Sequence, residues 1–164
     1  MEDKEAYVSL MTAQALKRIG FDFPVRSFYQ EPLPGTELER LFIGDLEGFR
    51  NERHDMLFSL EDWNHTDSVK NDRLYYSCPT LAVAQRWLRE VKGYEVDSVW
   101  FNSGEGYKAG YIKRESGAHR EWLPFSHHTY ERALESAINY VIGRIIGEEY
   151  DIHIAELDSG KKCL

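Results

Sequence analysis

The chain has 164 residues, of which 42% are hydrophobic and 13% aromatic, with two cysteines and a net charge of −8. A domain of this size buries roughly 70% of its unfolded surface, so the composition predicts one domain that needs neither a metal nor a disulfide to fold. No stretch approaches the ~18 apolar residues of a membrane span, and two distant cysteines are typical of free thiols. We therefore expect a cytoplasmic protein without a cofactor.

The negative charge is concentrated in residues 30–72. This segment holds eleven acidic and four basic residues, a net charge of −7, whereas the rest of the chain is close to neutral. Nucleic-acid binding needs a concentrated positive field, which the chain does not offer. We interpret residues 30–72 as an acidic, insertion-like segment. In it, Thr36 and Glu39 match a capping box before Leu41, Phe42 and Ile43, for a helix that Gly44 and Gly48 limit to about two turns.

The first third of the chain predicts one helix and one strand. Ser9 is suited to cap a helix over residues 9–19, and Gly20 is suited to end it. Residues 25–29 are typical of a strand, as are residues 73–76. We expect these two strands to pair as a hairpin whose loop is the acidic segment.

A second helix follows directly, and its beginning, its apolar stripe and its end are all visible in the sequence. Thr80 or Cys78 can cap it around Pro79, and Gly93 ends it. The apolar stripe that should pack on the core consists of Leu81, Ala84, Trp87, Leu88 and Val91.

Residues 94–101 and 107–114 predict a β-hairpin around a turn at residues 102–106. If Phe101 opposes Tyr107, Val96 falls on the same face as Trp100 and Ile112, and this face is assigned to the core. The other face then carries three aromatic side chains that helices on the first face would leave open. These candidate binding residues are Phe101, Tyr107 and Tyr111.

The last third predicts a short edge strand over residues 120–124 and a helix from Tyr130 to Ile146. Thr129 is the expected cap of this helix, and Gly147 is expected to stop it. Residues 155–164 form a polar tail that we expect to fray. Since the order of elements lacks a βαβ rhythm, the chain is predicted to be an α+β single domain. Its architecture would be a mainly antiparallel sheet of four or five strands with about three helices on one face.

Three stretches resemble an uncharacterised family of small proteins from Bacteroidetes genomes and their phages. They are residues 8–21, residues 77–90 (SCPTLAVAQRWLRE) and residues 130–135. The family joins its first two strands by a shorter loop, so the resemblance implies that residues 30–72 are an elaboration. It places Cys78 where the family has alanine. It implies an intracellular protein of bacterial or phage origin, and it carries no activity.

Candidate catalytic and metal-binding groups are few. His119, Glu121 and the pair His127–His128 could supply metal ligands, but their spacing matches no metal motif, and loop histidines are the simpler interpretation. Cys78 at a helix start could be a reactive thiol, yet a small buried residue explains it better. No catalytic or metal-binding residue is therefore assigned.

Three functions fit these features. The first is a non-catalytic binding protein that uses the acidic segment and the open sheet face to contact a protein partner, or a second copy of itself. The second is a small hydrolase-like enzyme with a site between residues 54–65 and the sheet, using Asp62, His65 or His54. The third, single-stranded nucleic-acid binding on the aromatic face, is the weakest because the charge has the wrong sign.

Overall fold

A computed structural model describes residues 6–30, 40–42, 62–65 and 74–161, with the backbone alone described for residues 40–42 and 157–161. The described elements, in chain order, are α1 (Leu10–Arg18), β1 (Phe28–Gln30), β2 (Arg40–Phe42), β3 (Tyr75–Ser77), α2 (Leu81–Val91), β4 (Tyr94–Asn102), β5 (Gly106–Lys113), β6 (Glu121–His127) and α3 (Tyr130–Lys161). They cluster into two compact units, Met1–Gly93 and Tyr94–Leu164. The α+β class is confirmed, whereas the single domain stays a prediction.

The described strands form two antiparallel sheets, ordered β2-β1-β3 and β4-β5-β6. The prediction of one sheet of four or five strands with the helices on one face is therefore wrong. The predicted hairpin of β1 with β3 is confirmed, since Tyr29 lies opposite Tyr76. The other edge of β1 pairs with β2, in the place where the capping box predicted a helix. Pairing with an available strand edge overrides a weak local helix signal. The rest of that predicted helix lies outside the described residues.

Local signals set the ends of α1 and α2 as predicted. The Ser9 hydroxyl accepts a hydrogen bond from the Thr12 amide at 3.3 Å, and the Thr80 hydroxyl accepts one from the Val83 amide at 3.3 Å. Gly20 and Gly93 follow the two helices with φ of 86° and 71°, a backbone conformation that favours glycine. The caps therefore satisfy amides that a helix start leaves free.

The apolar stripe of α2 is confirmed except at its end. Leu81, Ala84, Trp87 and Leu88 are buried, but Val91 is half exposed. The Trp87 ring packs on Phe21 at 5.3 Å between centroids, and its indole N–H donates to the Asp22 carboxylate at 2.8 Å. This contact fixes α2 against the segment that leaves α1.

A turn at residues 62–65 anchors part of the acidic segment to the N-terminal unit. The Asn64 side chain donates to the Phe21 carbonyl at 2.9 Å and accepts from the Ser77 amide at 2.9 Å. Trp63 lies 4.2 Å from Phe28, centroid to centroid, and its indole N–H donates to the Val25 carbonyl at 2.8 Å. This part of the acidic segment is therefore integral to the packing, which the sequence pattern did not indicate.

In the C-terminal unit, α3 packs on one face of the β4-β5-β6 sheet. Its buried side chains are Ala133, Leu134, Ala137, Ile138, Val141, Ile142 and Ile145. The predicted end at Ile146 is wrong, because α3 continues through Gly147 to Lys161. A glycine inside a helix costs only about 1 kcal/mol relative to alanine, and Gly147 does not adopt the positive φ that would end one. The fraying of residues 155–164 stays a prediction.

The edge strand β6 is longer than predicted. It continues through Pro124 to His127, and its pairing with β5 shifts register between Lys108 and Gly110. A proline has no amide hydrogen for the ladder, so an edge position with a local irregularity accommodates it.

None of the helices in the described ranges is long and apolar enough to cross a membrane.

We predict that Asn64→Ala destabilises the protein by about 2–4 kcal/mol, because it leaves the buried Ser77 amide and the Phe21 carbonyl without their partner. The matched control is His65→Ala, next in the chain and exposed, with an expected cost below about 1 kcal/mol. Urea unfolding followed by far-UV circular dichroism measures both. Equal effects of the two substitutions would contradict the anchoring role of this turn.

Candidate functional site

The register of the β4–β5 hairpin differs by one residue from the predicted one. Trp100, and not Phe101, lies opposite Tyr107, and Tyr94 lies opposite Lys113. Because neighbouring residues of a strand point to opposite faces, this shift moves the side chains of β5 to the opposite face relative to those of β4. The prediction that Phe101, Tyr107 and Tyr111 share an open face is therefore wrong.

The three residues lie on two faces of the sheet. Tyr107 and Tyr111 are on the face that α3 covers, where their rings lie 6.1 Å from Tyr130 and 5.3 Å from Tyr140, respectively. Phe101 is on the opposite face, which we call the outer face. Tyr111 is buried, so it cannot contact a ligand at the surface without rearrangement.

The turn at residues 103–105 explains the shift. The Asn102 side chain accepts hydrogen bonds from the amides of Gly104 and Glu105, at 3.0 and 2.9 Å. Asn102 pairs with Gly106, and the ladder is irregular between Trp100 and Asn102, so one residue is added to β4. Gly106 has a φ of 74°, and a Cβ atom there would lie 2.5 Å from the His127 carbonyl oxygen. Glycine is thus required both by the backbone conformation and by this close approach.

The corrected register places three ring side chains in one row across the sheet. Trp100 lies opposite Tyr107, and Tyr107 lies opposite His127. The row lines a cleft of about 470 Å³, which we call the turn cleft. The residues that line it are Trp100, Asn102, Ser103, Gly104, Glu105, Gly106, Tyr107, Ser126, His127 and His128. Its volume falls in the range of small-molecule sites, ~300–1,000 Å³.

The chemistry of the turn cleft is aromatic with neutral hydrogen-bonding groups. Trp100 is 57% exposed, so most of its surface is accessible to a ligand. None of the described residues that line the cleft is a lysine or an arginine, and the one carboxylate, Glu105, pairs with Lys108 at 2.7 Å. The Nε2 atom of His127 is buried and meets no hydrogen-bond partner among the described residues. The cleft therefore suits stacking and neutral hydrogen bonds, and does not suit the capture of an anion.

The sequence pattern did not single out this cleft. The pattern places Trp100 in the core, residues 102–106 in a turn, and His127 in a loop. The cleft combines residues of β4, β5 and β6, and only the register brings these particular side chains together. Asn102 followed by glycines was the available signal, since asparagine commonly closes such a turn with its own side chain.

The histidine and carboxylate groups of the described residues do not assemble into a metal site. In the described ranges, no three or more histidine, cysteine, aspartate or glutamate side chains are placed to hold a metal ion. Glu121, one of the candidate ligands, instead accepts a hydrogen bond from the Tyr111 hydroxyl at 2.5 Å.

The candidate residues for an enzyme lie in the 62–65 turn. The Asp62 carboxylate is 2.6 Å from Nδ1 of His65, an arrangement that can orient a histidine as a base. Cys78 is fully buried, and its thiol donates to the Val8 carbonyl at 3.6 Å, which confirms the structural interpretation of this cysteine. His54 lies outside the described residues.

A polar cluster joins the far end of α3 to β4 and β5. The Tyr94 hydroxyl donates to the Glu148 carboxylate at 2.8 Å, and the Lys113 ammonium donates to the same oxygen at 3.1 Å. Burial alone raises the pKa of Glu148, but these two donors outweigh it and the pKa lies below its ordinary value. Burial and the same carboxylate raise the pKa of Tyr94. The hydrogen bond to Glu148 raises the pKa of Lys113.

Arg144 extends this cluster along α3. Its guanidinium lies 5.5 Å from the centroid of the Tyr111 ring, and hydrogen bonds with Tyr94 and Tyr140 raise its pKa. The pKa of Tyr111 is raised by burial and by its hydrogen bond to Glu121. The raised pKa values keep Tyr94, Tyr111 and Arg144 protonated at neutral pH, and the lowered pKa keeps Glu148 ionised. Groups that do not change protonation state near neutral pH suit a structural role better than acid–base catalysis.

The outer face of the sheet carries aromatic side chains paired with cations. Phe101 and Trp122 meet edge to face at 5.6 Å, and Trp122 lies so close to Gly110 that a Cβ atom there would be 2.8 Å from its ring. Lys108 lies over Phe101 at 4.4 Å, and Arg120 over Trp122 at 5.6 Å. These rings are already in contact with partners, so the face is less available than the turn cleft.

Comparison with protein-family models, curated proteins and solved structures finds no match to this chain. The resemblance to the Bacteroidetes and phage family therefore stays a prediction.

We predict that Glu148→Gln destabilises the protein at neutral pH and that this difference shrinks as the pH falls below about 4.5. The folded-state pKa of Glu148 is lower than its ordinary value of 4.5, so its stabilisation is present above that value and is lost as the carboxyl is protonated. The expected size is below about 1 kcal/mol, because the pair is partly exposed. Urea unfolding of both proteins between pH 3 and 7 measures it.

The control is a double-mutant cycle with Tyr94→Phe, which removes the hydroxyl donor. The loss caused by Glu148→Gln should be smaller in the Tyr94→Phe background. A pH-independent difference, or two substitutions that act additively, would contradict the role given to this hydrogen bond.

Proposed function

We propose that the chain is a non-catalytic binding protein whose C-terminal unit holds a ligand in the turn cleft. The observation that carries this proposal is the row of Trp100, Tyr107 and His127, which lines a cavity of about 470 Å³. An exposed tryptophan in a concave site is a common binding hot spot, because its large rigid surface loses little entropy on contact.

The ligand class follows from the groups in the cleft. A ring or an apolar group can stack on Trp100, and the amide of Asn102 and the hydroxyls of Ser103 and Ser126 can make neutral hydrogen bonds. Residues 94–164 hold twelve acidic and eight basic residues, and no lysine or arginine is among the described residues that line the cleft, so a neutral or cationic ligand is favoured over an anion. Single-stranded nucleic acid is therefore the least favoured ligand.

This proposal keeps the predicted class of function and changes its site. The aromatic surface is the α3 side of the sheet at its turn end, and most of the acidic segment lies outside the described residues. The enzyme alternative has only the Asp62–His65 pair to support it. Cytoplasmic location, bacterial or phage origin and a protein partner stay predictions.

We predict that Trp100→Ala weakens ligand binding roughly 10-fold while leaving the fold intact, because the side chain is mostly exposed. Ligands come from a thermal-shift and ligand-observed NMR screen of neutral, cationic and anionic ring compounds. The affinity of each hit is then measured by isothermal titration calorimetry with both proteins.

The matched control is Phe125→Ala, which removes a ring that is 68% exposed and does not line the cleft. It should change the affinity by less than about twofold. Hits confined to anions would overturn the ligand class. Hits that bind equally well to Trp100→Ala would overturn the site.

A further inference from the structure

The second half of α3 presents an apolar stripe on the side away from the sheet. Every side chain from Glu149 to Glu156 is exposed, and among them Tyr150 and Ile154 are 64% and 40% exposed. Gly143 and Gly147 lie on the same stripe, and a Cβ atom added to either would meet nothing within 4 Å. Large apolar side chains and bare backbone therefore lie side by side on one surface.

The spacing of these four positions is that of a two-helix seam. Gly143, Gly147, Tyr150 and Ile154 are separated by four, three and four residues, the alternation by which one side of a helix faces a partner helix along its length. The buried positions Ile138, Val141 and Ile145 lie on the opposite side, towards the sheet. We call the four-residue stripe the α3 seam.

The order of small and large residues identifies the occupant. Along the chain the order is small, small, large, large. When a second copy runs in the opposite direction, centred between Glu148 and Glu149, each small residue therefore meets a large one. In an antiparallel pair, Gly147 lies opposite Tyr150 of the second copy, and Gly143 lies opposite Ile154. Each bulky side chain then fills the space above a glycine, and the two backbones can approach closely.

The charges beside the α3 seam agree with the same pairing. Arg144 and Asp151 lie on one flank of the seam. An antiparallel two-fold pair brings each flank next to the same flank of the second copy. The Arg144 guanidinium is held within its own copy over the Tyr111 ring, so the pairing does not require an ion pair with Asp151 of the second copy. On the other flank Ile146 adds apolar surface, so neither flank places like charges together.

We infer that the α3 seam is a self-association surface, which pairs two copies of this chain antiparallel around a two-fold axis. Such a pairing is isologous and closes at two copies. The four positions span about 17 Å of helix, so the interface is small and the dissociation constant is expected in the micromolar range. This surface is separate from the turn cleft, which lies at the start of α3, and the inference does not depend on the proposed function.

The test is sedimentation velocity of the full chain from about 5 to 500 µM. The expected result is a reversible monomer–dimer equilibrium that Tyr150→Glu weakens at least 10-fold, since it would bury a charge against Gly147 of the second copy. The matched control is Ile152→Glu, because Ile152 is 61% exposed but lies off the seam. This control should leave the equilibrium within twofold.

Two further variants separate pairing from folding. Gly147→Ala should raise the melting temperature of the monomer, since alanine favours a helix, and yet weaken the dimer, since its methyl group occupies the space of Tyr150. Tyr150→Phe should keep the dimer within twofold, because it retains the ring that fills the space above Gly147. A chain that is monomeric at 500 µM overturns the inference. So does a dimer that responds equally to Tyr150→Glu and Ile152→Glu.

Discussion

The turn between β4 and β5 decides which side chains each face of the C-terminal sheet presents. Asn102 closes that turn with its own side chain, and Gly106 lets the backbone pass within contact of His127. Had the ladder lacked the irregular residue, Phe101 would lie opposite Tyr107, and Phe101, Tyr107 and Tyr111 would share one face. The packing of α3, the hydrogen bond between Tyr111 and Glu121, and the lining of the turn cleft all depend on this one register.

The features that could be predicted from the sequence are those that a few adjacent residues determine. Ser9 and Thr80 cap helices because their own hydroxyls reach amides three residues away, and Gly20 and Gly93 follow those helices because of their own φ. The apolar stripe of α2 could be predicted for the same reason, because the helical spacing of Leu81, Ala84 and Trp87 places them on one face whatever packs against it.

The features that were missed depend on a partner that is distant in the chain. Residues 40–42 form a strand because β1 offers an edge for pairing, and a capping-box pattern contains no information about that edge. Asn64 lies in a polar stretch of the acidic segment, yet its side-chain amide satisfies the backbone of residues 43 positions before it and 13 after it. The identity of Gly147 alone predicts a helix stop, whereas α3 is held by the sheet and by the hydrogen bond between Tyr94 and Glu148, the residue next to Gly147. The turn cleft belongs to the same class, because Trp100 and His127 meet only through the strand between them.

The two proposed surfaces lie at different places along α3, and the geometry of the helix connects them. The turn cleft adjoins Tyr130, about 28 Å along the helix from the centre of the α3 seam. A two-fold pair would therefore hold its two clefts at opposite ends, roughly 55 Å apart, without either cleft touching the seam. Pairing would then leave the affinity of one cleft unchanged and increase binding only to ligands that reach both clefts. Such a pair would favour a repetitive or surface-bound ligand over a free small molecule, a preference that neither surface could produce alone.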